Sequence, residues 1–319
     1  MSYGVNAKLK LLDPSKFKDP DITADGQERA VVALTHLRTL WFNTGSLCNI
    51  TCRNCYMDSS PTNDDLVYLT RGEVQAYLDE IKQEALPVDE IAFTGGEPFM
   101  NPDILGMIED ALINGYRVLV LTNAMKPMWH KRAELLRLKQ DYEGKLTLRV
   151  SIDHHTREKH EDIRGPNTWQ PMIEGLRWLA EQKFSIAVAG RSCWDESEKL
   201  ARLGYSELFT QKNIPVDSHD HSTMIIFPEM DSKEDVPEIT ASCWEILDVA
   251  PEMMMCATSR MVVKRKGAEK PVVMPCTLLP YDTTFELRHA LADSADTVKL
   301  NHPQCAKFCV LGGGSCSPE

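Results

Sequence analysis

"SLCNITCRNCYMDS", residues 46–59, places Cys48, Cys52 and Cys55 within eight positions, three residues separating the first two and two separating the last two. A closed structural zinc site uses four ligands, usually as two cysteine pairs. Three local thiolates instead leave a metal centre open at one coordination position. An iron–sulfur cube held by three cysteines has one iron free for a further ligand, so the missing thiol makes room for a reactant. The competing reading is zinc completed by a distant residue, or thiols grouped by chance.

The surroundings of this loop set the fold class. From Leu37 onward, short apolar or β-branched runs alternate with amphipathic stretches, the pattern of a parallel βα architecture. "TLWFN" (39–43) is a strand running into the cysteine loop. In "LTRGEVQAYLDEIKQEA" (69–85), Thr70 and Glu73 form a capping box, and Val74, Tyr77, Leu78 and Ile81 share one helical face. "EIAFTGGEP" (90–98) is a strand ending near Gly95; "NPDILGMIEDALINGY" (101–116) follows as a helix with Asn101 as cap, Pro102 in the first turn and Gly115 past the end. "RVLVLTN" (117–123), "KLTLRVSID" (145–153), "FSIAVAG" (184–190) and "STMIIFP" (222–228) supply further strands, with helices around 129–139 and in "TWQPMIEGLRWLAEQ" (168–182). The expected fold is α/β: a partial (β/α)6 TIM-like barrel over 36–230, after an extension at 1–35. At "DSKEDVP" (231–237) the alternation stops and a small cysteine-rich domain, 231–319, begins.

Composition excludes several function classes. The 43% hydrophobic content over 319 residues suffices for a real core. Net charge is -12, with no basic block interleaved with aromatics, so no nucleic-acid partner is expected. No apolar run reaches signal-peptide or membrane-span length, so no membrane partner and a cytoplasmic location are expected. In a reducing compartment the ten cysteines point to metal rather than disulfides.

With the loop after the first strand and "TGGEP" (94–98) at the end of the second, the sequence resembles the radical S-adenosylmethionine (SAM) superfamily, whose hallmark C-x3-C-x2-C is matched by Cys48, Cys52 and Cys55. The resemblance implies that these three hold a [4Fe-4S] cluster whose fourth iron chelates the amino and carboxylate groups of SAM. One electron, from a donor such as flavodoxin or ferredoxin, would cleave SAM to methionine and a 5'-deoxyadenosyl radical that takes hydrogen from substrate. Gly95, Gly96 and Glu97, with Pro98, would contact the methionyl amine. The family often has an aromatic residue before the third cysteine, near the adenine; here that position is Asn54, and Tyr56 follows the cysteine.

Asn123, Ser151, Asp153 and Arg191 fall at the C-terminal ends of strands, where parallel barrels present active-site groups. Hydroxyl and carboxylate groups suit a ribose and a guanidinium suits a carboxylate. Each could equally be a strand-end hydrogen bond to a neighbouring loop. The segment from 151 also resembles the part after the fourth strand in the SPASM and twitch subgroup, with His160, Arg164 and Gly165 matching. For His160 and Arg164 a helix cap and rim salt bridges are the favoured reading.

The tail resembles the twitch extension: Cys256, a hairpin through "KRKGAEKP" (264–271), Cys276, then Cys305 and Cys309, with an extra Cys316. Four of these five could saturate an auxiliary [4Fe-4S] cluster, and zinc competes for the same thiolates. Cys193, beside the fifth strand, could return a hydrogen atom to a substrate radical but is more often a small buried hydrophobe. Cys243 is expected in the core. Within the superfamily, the absence of a peptide-recognition domain leans toward oxidation or rearrangement of a small molecule. A peptide-modifying maturase (thioether, crosslink or epimerisation) is the alternative, and a non-catalytic metal scaffold a distant third.

Overall fold

In the computed structural model, which describes residues 11–229, 231 and 233–313, the TLWFN run is a strand buried along its whole length. It is β2 (Thr39–Asn43), preceded by the two-residue β1 (Val31–Val32). The parallel strands β3 (Glu90–Thr94), β4 (Arg117–Thr122), β5 (Leu146–Ser151), β6 (Ser185–Ser192) and β7 (Met224–Pro228) follow, each paired with the one before. Between them lie α1 (Arg71–Gln83), α2 (Ile104–Ile113), α3 (Lys126–His130), α4 (Arg132–Asp141), α5 (Arg157–Arg164), α6 (Trp169–Glu181) and α7 (Glu198–Lys212). This is the expected partial (β/α)6 barrel: in-order parallel strands with helical crossovers.

Local chemistry explains the helix boundaries. Thr70 and Glu73 form the reciprocal capping box at α1, and Val74, Tyr77, Leu78 and Ile81 are its buried face. At α2 the expected cap is displaced. The helix begins at Ile104, and the Asn101 amide instead donates to the carbonyls of Thr44 (3.1 Å) and Leu69 (2.9 Å) while its oxygen accepts from the Asp103 N–H. Asn101 therefore ties three loops together, a long-range use that helix-cap statistics do not contain.

The sheet continues into the tail. Its order is β7-β6-β5-β4-β3-β2-β8-β9: β8 (Ser259–Val263) runs parallel to β2, and β9 (Val272–Met274) returns antiparallel to β8. The hairpin is where the sequence predicts it, but its first strand extends the barrel sheet. After α8 (Cys243–Leu247), which precedes that hairpin, β10 (Val298–Lys299) pairs antiparallel with β1, so the segment before the barrel is hydrogen-bonded to the tail. Both expected unit boundaries are thus crossed by backbone pairing.

Strand alternation builds two cores. Leu40, Phe42, Ile91, Phe93, Val118 and Val120 face the helices, whereas Trp41, Ala92 and Leu119 face a second core filled by Met254, Met255, Phe308 and the tail cysteines. Of the consecutive Met253, Met254 and Met255, the first is exposed and the other two are buried. Cys243, expected in the core, is only partly buried; its sulfur accepts the Thr240 N–H.

Candidate functional site

The loops that leave β2 and β3 are stitched to each other. The Thr44 N–H donates to the Thr94 carbonyl (2.8 Å), Gly96 N–H to the Gly45 carbonyl (2.8 Å) and Glu97 N–H to the Leu47 carbonyl (3.1 Å). A Cβ on Gly96 would lie 2.1 Å from the Leu47 oxygen, and one on Gly95, at φ +141°, 2.6 Å from the Gly45 oxygen. The glycine pair is therefore required first by the cysteine loop, which passes too close for any side chain.

Cys48, Cys52 and Cys55 line one cavity at the C-terminal end of the strands, together with Tyr56, Gly95, Gly96, Pro98, Asn123, Ser151 and Arg191. Burial pushes the Cys48 thiol up to about 12 and also raises Cys52, so both are protonated until a metal displaces the proton. The Asn123 amide nitrogen donates to Asn49 Oδ1 (2.8 Å) and lies 3.9 Å from Cys48 Sγ.

Two candidates stand behind the wall rather than in it. Glu97 is buried and absent from the lining; its carboxylate accepts from Thr122 Oγ1 (2.8 Å) and from the N–H groups of Asn123 (2.8 Å) and Phe99 (3.2 Å). Glu97 holds the end of β4, and its burial raises its pKa to about 7 against those three donors. Asp153 is likewise behind the wall, paired with Arg164 (2.7 Å) and Arg191 (3.4 Å) instead of facing a ribose. Burial opposes its ionisation, but Arg164 and then Arg191 outweigh burial and hold its carboxyl below the usual range.

Arg164 is the lining residue that sequence reasoning assigned to the rim. The salt bridge read from the sequence is present, and it presents the guanidinium to the cavity. Arg191 also donates to the carbonyls of Arg53 and Asn54 (both 3.3 Å), clamping the cysteine loop to β6. Two guanidiniums against one carboxylate leave the cavity wall with an excess positive charge, suited to thiolates and to a ligand carboxylate. Three convergent free thiols, that charge and the glycine-floored approach fit a three-thiolate [4Fe-4S] cluster with an open iron.

His160 is fully buried with neither ring nitrogen hydrogen-bonded, edge-on to Trp169 at 5.3 Å. His154, His155 and Glu196 converge nearby; because His154 Nδ1 accepts the Thr156 N–H (2.9 Å), its neutral ring carries the proton on Nε2 and donates it to Glu196 (3.0 Å). Cys193 is partly buried, and its thiol is raised to about 12 by burial and by Glu229.

In the tail, Cys256, Cys276, Cys305 and Cys309 line a single small apolar cavity with Met254, Met255, Leu278, Leu279, Val298 and Leu300. Burial raises the Cys256 thiol to about 11 and Cys305 well above its ordinary value. Four convergent thiols satisfy the donor set of either a saturated [4Fe-4S] cluster or zinc. Cys316 and part of the glycine run lie outside the described residues.

A larger cleft of about 630 Å3 shares wall residues with both cysteine sites. Cys52, Cys55 and Tyr56 are shared with the first cavity, and Leu278 and Leu279 with the second. Asn54, Asp58, Asp231, Lys233, Tyr281, Asp282, His302 and Gln304 give it a polar lining. The Tyr281 hydroxyl donates to the Met57 carbonyl (2.7 Å), pinning the tail to the cysteine loop.

Comparison with known proteins gives an independent view. Residues 42–193 match the Radical SAM superfamily model. The chain is 26% identical over 277 residues to the antilisterial bacteriocin subtilosin biosynthesis protein AlbA of Bacillus subtilis, an alignment spanning 82% of this chain and 59% of AlbA. It is 27% identical over 161 residues to the AdoMet-dependent heme synthase of Methanosarcina barkeri, 50% of this chain and 44% of that one. The fold is shared with Streptococcus suis SuiB, crystallised with its precursor peptide SuiA, at TM-score 0.59 and 10% identity over 83% of this chain and 66% of SuiB. The chain thus spans little more than half the length of AlbA and less than half of the heme synthase. Among the described residues no helix is long and apolar enough to cross a membrane.

Proposed function

This chain belongs to the radical SAM superfamily, and from that premise we propose that it cleaves SAM reductively and abstracts hydrogen from a substrate held in the cleft between its two cysteine sites. The single observation that carries the reading is the convergence of Cys48, Cys52 and Cys55 on one cavity that shares the wall residues Cys52, Cys55, Tyr56 and Ser59 with that cleft. A cluster held there would supply the one electron for reductive cleavage of SAM, the source of the radical that would abstract hydrogen. Cys48, Cys52 and Cys55 would hold that cluster. Arg164 and Arg191 favour the ligand carboxylate, and Asn123, Ser151 and Tyr56 offer polar and aromatic contacts to the nucleoside. Asp153 and Glu97 act through others, by orienting the two arginines and the end of β4.

The barrel at 36–230 would carry this chemistry, and the unit at 231–319 an auxiliary [4Fe-4S] cluster on Cys256, Cys276, Cys305 and Cys309, as in twitch extensions. A flavodoxin or ferredoxin would supply the electron. A cleft of about 630 Å3 matches a small metabolite, the substrate class we favour. The alternative, modification of a peptide, is supported by the alignment with AlbA across 82% of this chain.

The test is anaerobic incubation of the reconstituted chain with SAM and dithionite. Formation of 5'-deoxyadenosine, lost in the Cys48→Ala, Cys52→Ala, Cys55→Ala protein, is expected; no cleavage by the iron-loaded chain overturns the proposal. Faster cleavage with the small-molecule fraction of a cell extract, and none with its peptide fraction, separates the two substrate classes.

A further inference from the structure

Arg260 is 0% exposed on β8, immediately beyond the turn that carries Cys256. Its guanidinium donates to four backbone carbonyls: Cys256 (2.7 Å), Ser259 (2.9 Å), Ser294 (2.9 Å) and Asp296 (3.3 Å). Among the described residues it makes no ion pair with a carboxylate. The carboxylate of Asp296 is more than half exposed and pairs with Arg288 at 3.7 Å. Taking a cation out of water is expensive unless an anion or a full set of acceptors compensates, and guanidiniums fully buried without a carboxylate are uncommon. Burial disfavours its charge and lowers its pKa, and the sulfurs of Cys256 and Cys276, followed by Asp296, act against that.

We propose that Arg260 is the built-in counter-cation of the four-cysteine centre and sets the reduction potential of the cluster held there. The inference rests on the auxiliary-cluster reading above. Four thiolates around an iron–sulfur core carry net negative charge, and reduction adds one more. A fixed cation in a low-dielectric surrounding therefore stabilises the reduced form more than the oxidised form and raises the potential. The four carbonyls hold the guanidinium in place, so it is a positioning and tuning group, not a ligand.

The experiment uses the full chain carrying Cys48→Ala, Cys52→Ala and Cys55→Ala, so that only the tail centre reports. Iron analysis comes first: absence of iron, or zinc in its place, overturns the auxiliary-cluster reading itself. With iron present, the potential is read by EPR-monitored redox titration. Arg260→Met is expected to move the midpoint negative by at least a tenfold change in the reduction equilibrium, 59 mV for one electron, while Arg260→Lys stays within that interval. An unchanged midpoint in Arg260→Met, or equal shifts in both variants, overturns the assignment to charge. If Arg260→Met loses its iron, Arg260→Gln replaces it, and iron retention is the readout. Retention in the Lys protein with loss from the Gln protein supports the counter-cation, and loss from both or retention in both overturns it.

Discussion

The α-carbon of Gly96 passes so close to Leu47 that an added Cβ would sit 2.1 Å from the Leu47 carbonyl oxygen, one residue before Cys48. The two loops form one object. Gly96→Ala must push the cysteine loop away, a backbone overlap that destabilises by about 1–3 kcal/mol or more. Iron at the barrel site is expected to fall well below about four per chain while the tail iron persists. Gly72→Ala in the first turn of α1, where a Cβ meets nothing, serves as the control and is expected to leave iron unchanged.

Asp153→Asn leaves the largely buried Arg164 and the buried Arg191 without their shared carboxylate. Removing one partner of a buried ion pair destabilises by about 3–5 kcal/mol. A lowered urea midpoint is expected, together with weaker SAM binding by equilibrium dialysis, since both guanidiniums lose their orientation. Normal SAM affinity in a folded variant would show that the orientation of these arginines is irrelevant to the ligand.

His160 governs part of the acid stability. Burial lowers its pKa to about 4, below the ordinary 6.5, so between those values the unfolded chain binds the proton that the folded chain refuses. Its contribution is complete above pH 6.5 and is lost as pH falls toward 4, up to about 3 kcal/mol at 1.36 kcal/mol per unit. Phe fits against Trp169 and needs no hydrogen bond, so His160→Phe is expected to keep the urea midpoint at pH 7 and flatten its decline to pH 5. His154, lowered to about 4 chiefly by burial, leaves a residual slope.

Each of Cys256→Ala, Cys276→Ala, Cys305→Ala and Cys309→Ala removes one thiol from the tail cavity. Iron is expected to fall from about eight toward about four per chain in all of them. Retention of about eight in any one would show that its sulfur is not a ligand.

Tyr281→Phe deletes the hydroxyl that donates to the Met57 carbonyl across the cleft. A net loss of about 1 kcal/mol in unfolding free energy is expected from chemical denaturation. Because this bond pins the tail to the cysteine loop, KM for the substrate should rise more than kcat falls.

Much of this was legible in the chain. The short apolar strand runs, the capping box at Thr70 and Glu73 and the cysteine spacings are local signals, set within a few residues by backbone sterics and side-chain reach. They gave the βα order and the two thiol sets. The roles of individual strand-end residues were less legible. Arg164 looked like a rim salt bridge and is also a cavity wall; Glu97 and Asp153 are expected as ligand contacts, and their carboxylates are engaged by Thr122, Asn123 and Phe99 and by Arg164 and Arg191. Nothing within a few positions of Glu97 indicates that its carboxylate will meet the Thr122 hydroxyl and the Asn123 N–H, 25 and 26 residues away.

The sequence by itself determined the alternating architecture and the three-thiol loop, because those follow from local geometry and spacing. Tertiary structure alone decided that β8 continues the barrel sheet beside β2, that four particular tail cysteines share a cavity, and that the buried Arg260 guanidinium donates to the Cys256 carbonyl and to three others. The first joins segments more than two hundred residues apart and the others join tail segments tens of residues apart, with water excluded around them. Burial and partner choice belong to the packed chain, and no stretch of sequence records them.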